Sequence, residues 1–170
     1  MTPHLRACRL PGREGLFDLG LAGGRITALA THDPTLPAPA GALDARGRLV
    51  TPGFVEAHIH LDKALLSERL TEPARSAAEA IRLVGEAKRR FTVDDIRARA
   101  RRVLDLAVAA GTTAMRAHVE VDPIVGLGGM EAMLGLKAEY APAIELQLCA
   151  FAQEGILQAP GTEGLLRRAL

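Results

Sequence analysis

The sequence predicts an α/β fold of parallel strands joined by helical crossovers, behind a shorter segment of strands and turns. Strand and helix patterns alternate three times after residue 52. The three strand segments alternate apolar and polar residues, whereas a doubly wound sheet needs continuous apolar runs. The residues before them are broken by turn signals at short intervals.

In residues 1–52, HLRACRL, LFDLGLA and RITALA read as short strands, separated by Pro11-Gly12 and Gly23-Gly24. The proline-rich THDPTLPAPAGA reads as an irregular connection, and RLVTPGF leads into the first strongly patterned strand. Beyond it, SAAEAIRLVGEAKRRF opens on Ser76 with Glu79 three residues on, a capping box, and places Ile81, Val84 and Ala87 at helical spacing. TVDDIRARARRVLDLAVAAG repeats the device with Thr92 and Asp95. Its stripe of Val93, Ile96, Ala100, Val103, Leu104 and Ala107 is stopped by Gly111. GGMEAMLGLKAEYAP is a third helix ended by Pro142, and GTEGLLRRAL begins a fourth.

The strands are FVEAHIHLD, TAMRAHVEV and IELQLCAF. A period of two sets Val55, Ala57, Ile59 and Leu61 on one face of the first, opposite Glu56, His58, His60 and Asp62. Met115, Ala117, Val119 and Val121 oppose Arg116, His118 and Glu120 on the second. On the third, Ile144, Leu146, Leu148 and Ala150 oppose Glu145, Gln147, Cys149 and Phe151. The apolar faces are expected to pack on the helices. The polar faces suit a barrel lumen leading to a reaction site, while an antiparallel sheet with one wet face fits the alternation but not the intervening helices. Charge buried in a lumen needs a partner, so Arg116 is expected to pair with Glu56 or Glu145.

Composition narrows the function. Of 170 residues, 48% are hydrophobic and 24% charged, ordinary for a globular chain. Lys and Arg (21) nearly balance Asp and Glu (20), so no bulk charge recruits nucleic acid or an anionic membrane. The basic run Arg97, Arg99, Arg101 and Arg102 is interleaved with Asp94, Asp95 and Asp105 and reads as a solvated helix face. Cys8 and Cys149 make no disulfide framework, and Cys149 reads as a small core residue. No signal-peptide core and no run of about 20 apolar residues is present, so a cytoplasmic address is expected.

His58 and His60 carry the strongest chemical signal. Residues i and i+2 of a strand project together, so two imidazoles reach one ion, and imidazole suits Zn, Fe, Mn or Ni. A chance H-x-H is common, but this one follows TPGF at the end of a strand, the edge where barrel enzymes place their sites.

At this point LVTPGFVEAHIHLDKALL resembles the metal-site signature of the amidohydrolase superfamily, and MRAHVEVDP and IELQLCAFAQEGIL resemble later blocks of its cytosine deaminase-like branch. The similarity covers about residues 48–170, in the family's order. It implies a (β/α)8 barrel, of which this chain supplies the first three βα units over 53–170, preceded over 1–52 by strands of a small β-sandwich domain. It implies hydrolysis of a non-peptide C–N bond of a small cyclic amidine or amide, of pyrimidine or triazine type, by water activated on a divalent metal, Zn or Fe.

The family's H-x-H falls on His58 and His60 as metal ligands, and its heterocycle-holding glutamine falls on Gln153. The usual F-P-Q-E-G here reads Phe151-Ala152-Gln153-Glu154-Gly155, which loosens the loop that poses Gln153. His118 is a candidate for orienting a metal ligand or the substrate, with a hydrogen-bonded core histidine as the alternative. Asp62 and Lys63 read as structural ion-pair partners, and His4 and His32 as exposed turn residues.

A whole barrel takes about 250 residues. The family's third metal histidine, general-acid glutamate, later histidine and metal aspartate match nothing here, so the catalytic groups are expected beyond residue 170. Two functions stay open: a portion of a hydrolase, active with the remainder of the barrel or a homo-oligomer partner, and a catalytically inactive remnant or binding module. A complete small α/β protein with an incidental H-x-H is a third.

Overall fold

The computed structural model describes residues 4–69 and 74–170. The chain divides into two compact units, Met1–Pro52 and Gly53–Leu170.

The first unit holds β1 (His4–Cys8), β2 (Phe17–Ala22), β3 (Arg25–Thr31) and β4 (Leu43–Asp44), in the sheet order β3-β2-β1-β4. The β1–β2 and β2–β3 pairs are antiparallel, as their short turns require, and β4 runs parallel to β1. Its small core is Cys8, Leu19 and Ala45. His32 is not the exposed turn residue expected. Its ring nitrogen lies 2.7 Å from Asp18, its side chain is only 14% exposed, and Arg6 and the Ala7 N–H share the same carboxylate.

The second unit holds β5 (Phe54–Ile59), α1 (Ala77–Ala87), α2 (Val93–Ala109), β6 (Thr112–Glu120), α3 (Gly128–Tyr140), β7 (Glu145–Phe151) and α4 (Thr162–Ala169). The sheet is parallel throughout, in the order β5-β6-β7. Both expected caps form: Ser76 Oγ and Thr92 Oγ1 each accept the N–H three residues on, at 3.2 Å. The core lies between the sheet and α2 and α3. Ile96, Ala100 and Leu104 of α2 and Met130, Met133 and Leu136 of α3 meet Met115, Ala117 and Val119 of β6 and Val121 just beyond its end. Two glycines permit this closeness. A Cβ on Gly53 would lie 2.2 Å from Thr113 Cγ2, and one on Gly129 would lie 3.0 Å from Val119.

Three expectations need correcting. The apolar face expected for β5 is covered only at its C-terminal end: Ile59 packs on the core and Leu61 is fully buried, but Ala57 is exposed and Val55 is 69% exposed. Although α1 follows β5 in sequence, its stripe of Ile81 and Val84 faces a cavity at the C-terminal end of the strands, and no residue of α1 is fully buried. The wider stripe of α2 takes the covering position. Arg116 pairs with neither Glu56 nor Glu145. It is exposed, and its Nε donates to Oε1 of Gln147, its cross-strand neighbour, at 2.6 Å. Three strands do not close on themselves, so the base of the polar face stays open to water. Arg99, read as part of a solvated face, is buried. Its guanidinium donates to the Ala64 carbonyl at 2.7 Å, to Asp95 at 3.1 Å, and lies 4.8 Å from the Phe91 ring. A side chain with a long apolar stem and five donors reaches partners that helical periodicity does not display. No helix among the described residues is long and apolar enough to cross a membrane.

Candidate active site

The C-terminal ends of β5, β6 and β7 bring together His58, His60, His118 and Gln153. The 3₁₀ turn Leu61–Lys63 follows β5 directly. The rings of His58 and His60 lie 5.3 Å apart between centroids, and His58 stacks on His118 at 4.1 Å. His60 Nδ1 lies 2.9 Å from the backbone carbonyl of His118. A carbonyl only accepts, so Nδ1 carries the proton and Nε2 keeps its lone pair. It is thus the backbone of His118 that orients His60; the His118 imidazole is taken up by stacking. Burial, and after it the nearby Lys63 charge, lower the pKa of His60 and favour the neutral ring.

Below the histidines lies a charged network that no sequence pattern displays. Lys88, only 2% exposed, extends its ammonium to Glu120 at 2.7 Å and to Asp122 and Glu154 at 2.5 Å each. Lys63 meets the other oxygen of Glu120 at 2.9 Å and donates to Gln153 Oε1 at 3.0 Å. Asp62 does not pair with Lys63. Its Oδ2 accepts the Glu120 N–H at 2.8 Å, clamping β5 to β6, and burial raises its pKa. Burial alone would push the Asp122 carboxyl up as well, but Lys88 and the N–H groups of Val125 and Ile124 hold it down to about 2. Burial opposes the Lys88 ammonium, yet Asp122, Glu120 and Glu154 carry its pKa well above the ordinary lysine range. Glu120, Asp122 and Glu154 bring oxygens within 4.8 Å of one another, spacing that a cation could use. The Lys88 ammonium already occupies that role.

Beside the network is a cavity of about 220 Å³. Its polar wall is His60, Lys63, Glu120 and Gln153, and its apolar wall is Ala80, Ile81 and Val84 of α1. Two of the residues singled out from the sequence, His60 and Gln153, therefore share one space. His58 stands outside it on the exposed side. His60, with its neutral form favoured and its tautomer fixed by a carbonyl, is the kind of imidazole donor that a divalent transition ion accepts.

A pocket lined by imidazole, ammonium, carboxylate and amide groups thus lies at the C-terminal edge of a parallel sheet, and the chain belongs to the amidohydrolase family, which it matches over residues 41–166. N-isopropylammelide isopropyl amidohydrolase of Pseudomonas sp. (strain ADP) is 33% identical over 98% of this chain and 42% of its own length. Among solved structures, 5-methylcytosine deaminase from Klebsiella pneumoniae, liganded with 5-fluorocytosine, superposes with a TM-score of 0.88 at 36% identity, over 98% of this chain and 40% of that one. N-isopropylammelide isopropylaminohydrolase from Burkholderia multivorans gives 0.79 at 32% identity, over 99% and 42%. The chain spans about 40% of the length of these relatives.

Proposed function

We propose that this chain is the N-terminal portion of a metal-dependent amidohydrolase of the cytosine deaminase-like type, hydrolysing a non-peptide C–N bond of a small cyclic amidine or amide. Residues 53–170 supply three βα units of a (β/α)8 barrel, and residues 1–52 supply strands of a small β-domain. The observation that carries this reading is the cavity shared by His60 and Gln153 at the C-terminal edge of β5–β7. The open edges of β5 and β7 and the bare Val55 fit a sheet that continues in the remainder of the barrel.

In this reading His58 and His60 hold a divalent ion, zinc or iron, which when bound supplies activation of water near neutral pH. His118, through its carbonyl, keeps His60 in the ligating tautomer. Gln153 binds the polar edge of the ring, and the Ile81–Val84 side of α1 covers a flat face and excludes water. Proton transfer is assigned to no residue of this chain.

The test is turnover by the full natural protein containing this chain, loaded with zinc or iron. Cytosine, 5-methylcytosine and N-isopropylammelide are supplied, and release of ammonia or isopropylamine is followed. Release that disappears in His60→Asn supports the proposal. Metal-loaded protein that releases neither from any of the three refutes the substrate class.

A further inference from the structure

Lys63 directly follows the histidine segment, yet its side chain turns inward and is only 10% exposed. It holds three things at once: Glu120 Oε2 at 2.9 Å, Gln153 Oε1 at 3.0 Å, and the face of Phe151, 5.2 Å from the ring centre. Glu120 cannot follow a moving lysine, because its second oxygen is bound to Lys88 at 2.7 Å. The ammonium is therefore anchored.

An ammonium has donors and no acceptor. The amide of Gln153 can face it only with its oxygen, since the flipped amide would set N–H against N–H⁺ in a largely buried place. With the oxygen held, the NH₂ is the end left for the cavity. A fixed N–H there donates to a ring carbonyl and opposes an exocyclic amine, which would bring a second donor.

We propose that Lys63 is a positioning residue that sets the orientation of the Gln153 amide, and so makes the site select heterocycles presenting a carbonyl to this wall over those presenting an amino group. The proposal rests on the reading that Gln153 meets the substrate.

The experiment uses the full natural protein containing this chain, stripped of metal, with calorimetric titration of two unreactive probes. Pyrimidin-2-one carries the carbonyl, and 2-aminopyrimidine carries an amine in its place. The unaltered protein is expected to prefer pyrimidin-2-one by about 10²-fold, as when a polar contact is replaced by an unpaired group. Lys63→Met should reduce that preference below about threefold, and Lys63→Arg, which keeps the donors, should retain most of it. Should Lys63→Met fold poorly with Glu120 left uncompensated, the double variant Lys63→Met/Glu120→Gln replaces it, with the same expectation.

A merely structural role for Lys63 would lower both affinities alike and leave the ratio intact, overturning the proposal. A ratio that survives loss of Lys63 but collapses in Gln153→Ala refutes the orienting role alone. A ratio unmoved by Gln153→Ala, or no binding of either probe, refutes the substrate contact on which the proposal rests.

Discussion

Replacing Lys88 by methionine keeps most of the buried stem and removes the charge. Glu120, Asp122 and Glu154 then face one another with no cation between them, the first two almost wholly buried. Removing one partner of a buried ion pair typically costs about 3–5 kcal/mol. The structure permits an independent estimate. The variant can escape its repulsion by protonating a carboxyl whose ordinary pKa is 3.8. At pH 7 that takes about three pH units at about 1.4 kcal/mol each, or about 4 kcal/mol. At pH 5 it takes about one unit and costs about 2 kcal/mol.

The sign follows from proton binding. In the variant the folded carboxyl has a raised pKa, so the folded state binds more protons than the unfolded one, and its stability falls as pH rises. Urea unfolding of the unaltered chain and of Lys88→Met at pH 5 and pH 7 measures both numbers. A stability loss that roughly doubles from pH 5 to pH 7 is expected. Calcium or manganese should restore part of it in the variant alone, because the three carboxylates can then accept the ion. A loss below about 1 kcal/mol at pH 7, or an equal loss at both pH values, would refute the ammonium-centred network.

Further consequences are open to measurement. Gly53→Ala drives a methyl into Thr113, whose Cβ lies 2.8 Å from the added atom, and should cost about 1–3 kcal/mol in urea unfolding. An unchanged midpoint would mean that β5 and β6 do not approach this closely. Asp122, with its pKa held near 2, binds its proton less readily when folded, so it stabilises fully above about pH 4 and loses that contribution as pH falls through 2. Asp122→Asn should therefore remove about 2 kcal/mol from stability at pH 7 and little at pH 2, and an equal loss at both would contradict the assignment. Val55→Lys should be nearly neutral to the stability of this chain, whose Val55 is exposed, and should destabilise the full natural protein, where the sheet is proposed to continue. Equal effects on both would exclude a strand docked beside β5.

How much of this was legible in the sequence depends on the distance over which each contact acts. Ser76 and Thr92 cap helices through the N–H three residues away, and the apolar stripes of α2 and the alternation along β6 are equally local. Those elements stand where the pattern placed them. The paired placement of His58 and His60 is the reading that the two-residue period of a strand gives, and Gln153, which only the family resemblance points to, shares a cavity with His60 but not with His58. The charged network was invisible for the converse reason. Lys63 and Gln153 are 90 positions apart, and Lys88 and Glu154 are 66, so neither pairing leaves a trace in any window of sequence. The destination of α1 was equally hidden. A stripe of Ile81 and Val84 specifies one apolar side, but not whether that side meets a sheet or roofs a cavity. An alternating strand implies a partner for Arg116 only inside a closed lumen, and three strands leave it beside Gln147 and water.

The most direct test of the central claim is metal content, with X-ray absorption at the metal edge, for the full natural protein and its His58→Asn/His60→Asn variant. Bound zinc or iron with imidazole nitrogen among its ligands is expected, with loss of that metal in the double variant while the fold persists by circular dichroism. Metal retained undiminished without these two histidines would contradict that claim.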